Sequence, residues 1–414
     1  MRFYQVGGAV RDKLLHQTVQ DRDFVVIGGT EEEMLALGFK KVGKSFPVFL
    51  HPKTGEEYAL ARKEIKTGTG HGDFAFVFTP DITLEEDSLR RDFTCNALYQ
   101  EEETGRIIDF HNGAEDIKKR VLRHISPHFT EDPLRVLRMC RFASRLDFSV
   151  APETMDLCQK MVKAGELRHL SRQRIWGEIE KALSCKRFSR FIRTARECGA
   201  LAELLPEVES LWQIPERLDY HPEGNAGEHT ILSLEAAATD DPLVNFAVLL
   251  HDIGKTATPP EKWPCHAGHA ALADEIIARI ATRLQVPRRF ADFARFSAKN
   301  HMVAHWPCAE SKEDLLDIVL WLQRAPQPDD LERFISVLAA DMRGRACPLR
   351  SETEQNLALT SEVLRRMYQK ASAVNMRENP RFTAALAAFK TGKITSEELK
   401  DVRCRIIKDA AADI

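Results

Sequence analysis

Tyr4-Gln5-Val6-Gly7-Gly8-Ala9-Val10-Arg11-Asp12 passes from a β-rich start into a helical patch across two glycines. Such a joint presents backbone N–H groups at a helix N-terminus, where the partial positive charge suits a phosphate and the missing Cβ lets it come close. Arg11, one turn in, can add a bidentate clamp. Downstream lies Asp21-Arg22-Asp23-Phe24-Val25-Val26-Ile27, where alternate residues of a strand project the same way. Asp21 and Asp23 then share a face, their Cα atoms roughly 7 Å apart. Mg²⁺ takes hard oxygen ligands, commonly one or two carboxylates together with substrate phosphates. A pair at this spacing can hold one or two such ions, and in two-metal reactions these sit ~3.5–4 Å apart.

The flanking chain predicts a mixed fold. Short β-rich runs recur at Phe3–Val6, Phe24–Ile27, Val48–Leu50, Tyr58–Ala61 and Ile107–Phe110, with helical patches and Gly-rich joints between them. This reads as an α+β domain. Its second helix starts at Thr30 with Glu33 three positions on, the pattern in which each side chain caps the other's backbone N–H. From about Ala114 apolar residues recur at three and four spacing, with Pro or Gly at the breaks, so the remainder is expected to be all-α. Breaks at Pro206–Pro222 and Pro326–Pro328 divide it into a middle segment, a His-rich segment and a tail.

Composition narrows the classes. With 414 residues, 43% of them hydrophobic, the chain can build several cores. Apolar runs such as Phe246–Leu250 and Leu315–Leu322 fall far short of the ~20 residues of a bilayer span, so no membrane partner is expected. The N-terminus lacks the basic start and long apolar stretch of a secretory signal, which predicts a cytoplasmic location. Nine cysteines, the closest pair being Cys185 and Cys198, offer no metal or redox spacing and are expected to be reduced. The net charge of −3 is unevenly spread: residues 125–200 carry 15 Lys and Arg against 9 Asp and Glu. A nucleic-acid backbone would be drawn to that segment.

Within it, Pro133 is placed to open a helix. Arg135, Arg138, Arg141 and Arg145 then lie within a ~120° arc at 100° per residue, while Val136, Leu137, Cys140 and Ala143 face the other way. Like charges at this spacing cost a few tenths of a kcal/mol per pair, so a bound polyanion is expected over the basic face. Just before the helix stands Asp132, which only accepts hydrogen bonds, and on its first turn Arg135, which only donates. Cytosine and adenine both present an exocyclic amine beside a ring-nitrogen acceptor, complementary to an Asp and an Arg. Uracil and guanine present a carbonyl beside an N–H, which opposes both groups.

Farther on, Asn245-Phe246-Ala247-Val248-Leu249-Leu250-His251-Asp252-Ile253-Gly254-Lys255 reads as a buried helix ending in His-Asp. Imidazole and carboxylate together suit a transition metal. His266 and His269 downstream are candidates for further ligands.

Taken in order, Gly7-Gly8-Ala9-Val10-Arg11-Asp12, Asp21-Arg22-Asp23, Arg90-Arg91-Asp92-Phe93-Thr94-Cys95-Asn96-Ala97 and Glu131-Asp132-Pro133-Leu134-Arg135-Val136-Leu137-Arg138 resemble bacterial class II tRNA nucleotidyltransferases. The one departure is Cys95, where an aliphatic residue is usual, an apolar exchange. His229, His251-Asp252 and Asp341 resemble the H…HD…D pattern of HD-domain phosphohydrolases, which a subgroup of that family carries.

The resemblance implies a polymerase β-like α+β nucleotidyltransferase head over 1–122 and a helical nucleotide- and tRNA-binding part over 123–210. It further implies an HD phosphohydrolase domain over 211–330 and a helical tail over 331–414. Asp21 and Asp23 would hold catalytic Mg²⁺. Gly8, Arg11, Arg91, Asp132, Arg135, Arg138 and Arg141 would bind nucleotide, with Asp92 and Asn96 near the ribose. The implied partners are tRNA, CTP and ATP, and the implied reaction is addition of CCA to the tRNA 3′ end. His229, His251, Asp252 and Asp341 would hold a divalent transition metal such as Ni²⁺ for hydrolysis of phosphate monoesters and 2′,3′-cyclic phosphates. Monomer and homodimer are both open. Bacterial poly(A) polymerases share the Gly-Gly and Asp-x-Asp motifs, but the HD segment argues against them.

Overall fold

The structure is a computed structural model that describes residues 1–19, 21–42, 47–66, 74–305, 312–324, 327, 329–347 and 351–411. The side chains of 64–66, 74–76, 312–313 and 411 are excepted. Of the break expected at Pro326–Pro328, only Gln327 lies within these residues. The chain forms two compact units, one of residues 1–182 with 190–204 and the other of 183–189 with 205–414.

The first unit is built on strands β1 (Arg2–Val6), β2 (Asp23–Ile27), β3 (Lys40–Lys41), β4 (Val48–Leu50), β5 (Glu57–Leu60), β6 (Lys63–Lys66), β7 (Phe74–Val77), β8 (Leu98–Glu101) and β9 (Ile107–Asp109). All but the β6–β7 hairpin join one seven-stranded sheet in the order β3-β4-β5-β2-β1-β8-β9. β2 runs antiparallel to β1 and parallel to β5. Alternation along these strands makes two apolar faces. Tyr4, Val6, Val25 and Tyr99 pack with Ile82 and Leu84 on one, and Phe24, Val26, Phe49 and Tyr58 pack with Met34 on the other. Helices α1 (Gly8–Leu14), α2 (Glu31–Ala36), α3 (Leu84–Leu89) and α4 (Gly113–Lys119) accompany the sheet. The expected reciprocal cap is present at α2, where Thr30 Oγ1 accepts from Glu33 N–H and Glu33 Oε2 from Thr30 N–H. Strand β8 was not among the expected runs.

Beyond the sheet the unit is mostly helical, with α5 (Leu134–Leu146), α6 (Pro152–Lys163), α7 (Arg172–Leu183), α8 (Phe188–Glu197) and α9 (Ala200–Leu204). Val136, Leu137, Cys140 and Ala143 of α5 are fully buried, as the periodicity predicts.

Among its described residues the second unit is helical. It comprises α10 (Pro206–Glu209), α11 (Ala226–Ala237), α12 (Pro242–Leu250), α13 (His269–Leu284), α14 (Arg288–Asn300), α15 (Lys312–Arg324), α16 (Asp330–Arg343), α17 (Ser351–Ser372), α18 (Pro380–Lys390) and α19 (Ser396–Ala411). Helices α11, α12, α14 and α16 pack around one core that includes Ile231, Phe246, Phe293 and Phe334. No helix among the described residues is long and apolar enough to cross a membrane.

Two candidate active sites

In the first unit the strand register assembles the acidic site. Asp23 opens β2 and pairs with Val6 on one side and with Glu57 of the parallel β5 on the other. Val6 leads straight into Gly7, so the sheet delivers Asp23 to the Gly-Gly turn, whereas Asp21, expected on the same strand, lies two residues before its start. Gly7 adopts φ 72° and ψ −134°, a conformation that strains any residue with a Cβ, and α1 starts at the next residue. Asp21, Asp23 and Glu57 are all exposed at this edge. Partial desolvation and the adjacent Glu57 charge push Asp23 above its ordinary range, Asp21 pushes the same way, and Arg91 opposes them. A divalent cation relieves that repulsion, and the donor set, all carboxylate oxygen, fits Mg²⁺. Glu57 was missed in the sequence because its partnership with Asp23 depends on strand pairing.

Arg91 reaches the same turn. Its Nε and Nη2 donate to Asp87 Oδ2 at 3.3 and 2.9 Å, and Nε also lies 3.1 Å from the Tyr99 hydroxyl. A Cβ on Gly7 would stand 4.0 Å from Arg91 Nη1. The guanidinium is therefore anchored on one edge and presents the other to the glycine turn.

Arg11 does not reach out as the phosphate clamp expected of it. It is 1% exposed and donates from Nε and Nη2 to Asp12 Oδ1 at 2.8 and 2.6 Å, and from Nη1 to Asn96 Oδ1 at 2.5 Å. A buried guanidinium needs acceptors on all its edges, and the fold supplies them. Asn96 in turn donates to Asp92 Oδ1 at 3.0 Å, and Asp92 Oδ2 takes Arg138 Nε and Nη2 at 2.8 and 2.5 Å. Burial alone would raise Asp92, but Arg138 and Asn96 outweigh it and hold the carboxyl down to about 2.

The basic face of α5 likewise differs from the open front expected. Arg135 and Arg141 are buried. Arg135 donates to the carbonyls of His128 at 2.8 Å and Arg90 at 2.6 Å, and Arg141 Nε donates to buried Glu178 at 2.6 Å. The arginines do share one face, but much of its counter-charge comes from the protein. Phe142 lies among them, with the guanidinium carbons of Arg11, Arg138 and Arg141 5.4, 5.4 and 4.2 Å from its ring centre. Asp132 pairs with Arg174 on α7 rather than with Arg135: Arg174 Nη2 lies 2.8 and 3.0 Å from its two oxygens.

In the second unit His229, His251, Asp252 and Asp341 converge, although they come from α11, the end of α12, the following turn and α16. His229 Nε2 is 3.1 Å from Asp341 Oδ1 and 3.7 Å from Asp252 Oδ2, and His251 Nε2 is 3.3 Å from Asp252 Oδ2 and 3.7 Å from Asp341 Oδ1. All four residues are at most 3% exposed. Burial lowers His229, but Asp341 and Glu223 outweigh it and raise it to about 9. Lys255 Nζ donates to Asp252 Oδ2 at 2.7 Å and to Glu216 at 2.6 Å. Gly254 lets the turn after Asp252 meet α13, since a Cβ there would fall 2.0 Å from the His269 carbonyl oxygen. His266 is not part of the cluster: its ring nitrogens bond Thr258 Oγ1 and the Pro215 carbonyl, both at 2.8 Å. His269 does approach Asp252, and so does His301, which the sequence reading overlooked.

An acidic strand edge at a Gly-Gly helix start, flanked by an anchored arginine, defines a nucleotidyltransferase head. Accordingly, the family described as "Poly A polymerase head domain" matches residues 3–123, and "Probable RNA and SrmB- binding site of polymerase A" matches 147–211. The "Multifunctional CCA protein" of Pseudomonas fluorescens is 47% identical over 83% of this chain and 85% of its own. Its namesake from Nitrosococcus oceani is 42% identical over 99% of this chain and 98% of its own. The Bacillus stearothermophilus CCA-adding enzyme, solved in complex with CTP, shares the fold with a TM-score of 0.61 at 24% identity, covering 99% of this chain and 88% of that one. The chain belongs to the family of multifunctional CCA proteins.

Proposed function

We propose that the chain adds C, C and A to the 3′ end of tRNA without a nucleic-acid template, taking the nucleotides from CTP and ATP. The observation that supports this reading is the register that pairs Asp23 with Val6, next to the Gly7–Gly8 turn, with Asp21 two residues before it. Asp21 and Asp23 would hold Mg²⁺, which would supply charge neutralisation for the attacking hydroxyl and the leaving pyrophosphate. The turn at Gly8 and the anchored guanidinium of Arg91 receive the triphosphate. In the reaction the tRNA 3′ oxygen bonds to the α-phosphorus, the bond from that phosphorus to the β-phosphate bridging oxygen breaks, and pyrophosphate leaves. Catalysis is then chiefly positioning.

Arg11, Arg138 and Arg141 serve this site mainly by fixing its walls through Asn96, Asp92 and Glu178. Asp132 reads the base edge, accepting from the exocyclic amine of C or A, while Arg135, held by the His128 and Arg90 carbonyls, fixes the wall beside it. To do so Asp132 releases Arg174. Arg174 is exposed and Asp132 half-buried, at 43% and 31%, and solvent-facing pairs are worth only about 0–1 kcal/mol, so an incoming base can displace it.

The His-rich cluster of the second unit is proposed as an HD-type phosphohydrolase site for phosphate monoesters and 2′,3′-cyclic phosphates. Its imidazole and carboxylate donors fit a divalent transition metal such as Ni²⁺, which would activate a water. A cyclic phosphate blocks the 3′ hydroxyl that the first site extends, which gives the two activities a common substrate in damaged tRNA.

The test incubates the chain and Mg²⁺ with tRNA lacking CCA, supplying each nucleotide singly and CTP with ATP together, with products resolved at single-nucleotide length. Two C followed by one A, abolished by Asp21→Ala, is expected. A long A tail would mean poly(A) polymerase, and no incorporation would move the function to the second unit. Loss of phosphohydrolase activity in His251→Ala, with CCA addition retained, is expected for the second site.

A further inference from the structure

Asp87, on α3 of the first unit, is fully buried, and both of its oxygens are taken. Oδ1 accepts from Arg90 Nε and Nη2 at 2.9 and 2.8 Å and from the Arg62 N–H at 3.3 Å. Oδ2 accepts from Arg91 Nη2 and Nε at 2.9 and 3.3 Å and from the Tyr99 hydroxyl at 3.0 Å. Burial alone would raise this carboxyl, but the two guanidiniums outweigh it and hold it well below the usual carboxylate range. One buried anion thus orders two consecutive arginines.

Arg91 carries that order to the glycine turn. The Tyr99 hydroxyl accepts from Arg91 Nε at 3.1 Å while donating to Asp87, so carboxylate, phenol and guanidinium close a triangle. With Nε and Nη2 fixed, Nη1 lies toward Gly7, where a Cβ would stand 4.0 Å from it. Among the described residues the Tyr99 hydroxyl bonds only Asp87 and Arg91.

Arg90 carries it the other way. Helix α3 ends at Leu89, and the last carbonyls of a helix lack partners within it. The Leu89 carbonyl accepts from Ser126 Oγ at 3.1 Å and the Arg90 carbonyl from Arg135 Nη2 at 2.6 Å. A guanidinium is favoured at this negative end of a helix. Ser126 and Arg135 bracket Asp132 in the chain, and the Arg135 N–H donates to the Asp132 carbonyl at 3.0 Å. Arg90 is therefore gripped by Asp87 at its side chain and by Arg135 at its carbonyl, which links the buried carboxylate to the backbone of the base-reading residue.

We propose that Asp87 is a positioning residue shared by both halves of the nucleotide site. It holds the Arg91 guanidinium toward the triphosphate and, through Arg90 and Arg135, steadies the wall beside which Asp132 reads the base. This rests on the reading of Arg91 and Asp132 as nucleotide-binding residues. Triphosphate affinity and base choice then have one common support, with Tyr99 bracing the first arm and the Arg90 side chain the second.

The experiment measures kcat and KM for addition of CTP, and separately of UTP, to tRNA lacking CCA, using the full-length chain at saturating Mg²⁺. Tyr99→Phe is expected to raise KM for CTP by about 3- to 10-fold, the loss of one hydrogen bond, and to leave the preference for CTP over UTP in place. The same change should have no further effect once Arg91→Ala is present. Arg90→Ala is expected to do the reverse, lowering the preference several-fold at nearly unchanged KM for CTP. Asp87→Asn, which keeps the shape and loses the charge, should move both quantities, and if it does not fold the two single-arm variants carry the test. A merely structural loss would lower kcat for both nucleotides alike and move neither KM nor the preference. An unmoved KM in Tyr99→Phe, or an unmoved preference in Arg90→Ala, would overturn the shared support. Unchanged KM in Arg91→Ala would instead overturn the reading of Arg91 on which the proposal rests.

Discussion

Arg174 on α7 closes over Asp132, its Nη2 held between the two carboxylate oxygens at 2.8 and 3.0 Å. The residue proposed to read the base thus already has a partner in the protein that mimics an amine donor. A base that offers an amine replaces Arg174 donor for donor, whereas uracil or guanine would leave the carboxylate facing a carbonyl. Asp132→Ala is expected to lower the preference in kcat/KM for CTP over UTP by about 10- to 100-fold, the range of a lost bidentate base contact. An unchanged preference would sink the template reading. Asp132 Oδ1 also accepts from Leu134 N–H at 3.0 Å at the start of α5, so a small fall in melting temperature should accompany the change.

Asp92 ties Asn96 to Arg138, and its carboxyl is held down to about 2 from an ordinary 3.8. A depressed folded-state value stabilises the fold above the unfolded value, and the gain is lost as pH falls through the folded one. The shift corresponds to about 2 kcal/mol, present at pH 7 and fading between about pH 4 and pH 2. Asp92→Asn should therefore destabilise the first unit at neutral pH, with the difference from the parent closing in acid. Denaturant unfolding at several pH values measures it, and a deficit that persists at pH 2 would rule out the charge as its source.

The contrast between these residues shows what the sequence could carry. The Gly-Gly joint, the Asp pair and the Thr30 cap were legible because their partners lie within a few residues. The face shared by Arg135, Arg138 and Arg141 was legible too, since helical period fixes it. What it faces was not: Arg138 meets Asp92 from 46 positions away, Arg141 meets Glu178 from 37, and Arg11 meets Asn96 from 85. Those distances are closed by packing, and they turn an expected polyanion surface into an internally paired one. His301 escaped for the same reason, as it joins His269 across 32 positions.

Glu57 makes a third prediction. Its in-register place beside Asp23 adds negative charge where a cation is expected to bind. Glu57→Gln should raise the Mg²⁺ concentration for half-maximal nucleotide addition several-fold, with little change in KM for CTP at saturating Mg²⁺. An unaltered Mg²⁺ titration would show that Glu57 faces the site without contributing to it.

His305 bears on the metal site proposed for the second unit without being one of its proposed ligands. Arg345 Nη2 lies 3.3 Å from His305 Nδ1 and can donate to it, which leaves the proton on Nε2, and that atom is 2.8 Å from Asp341 Oδ2. Asp341 thereby has one oxygen fixed by His305 and the other, Oδ1, directed at His229 and His251. Partners of this kind hold a ligand's orientation, and their loss typically weakens metal binding by about 10- to 100-fold. His305→Ala should therefore weaken Ni²⁺ or Mn²⁺ binding by that factor while nucleotide addition in the first unit continues at the parent rate. His305→Gln, which can keep a donor toward Asp341, should recover part of the affinity. Equal loss in both variants would mean that His305 acts through its bulk or charge rather than through the hydrogen bond, and no loss in either would remove it from the site.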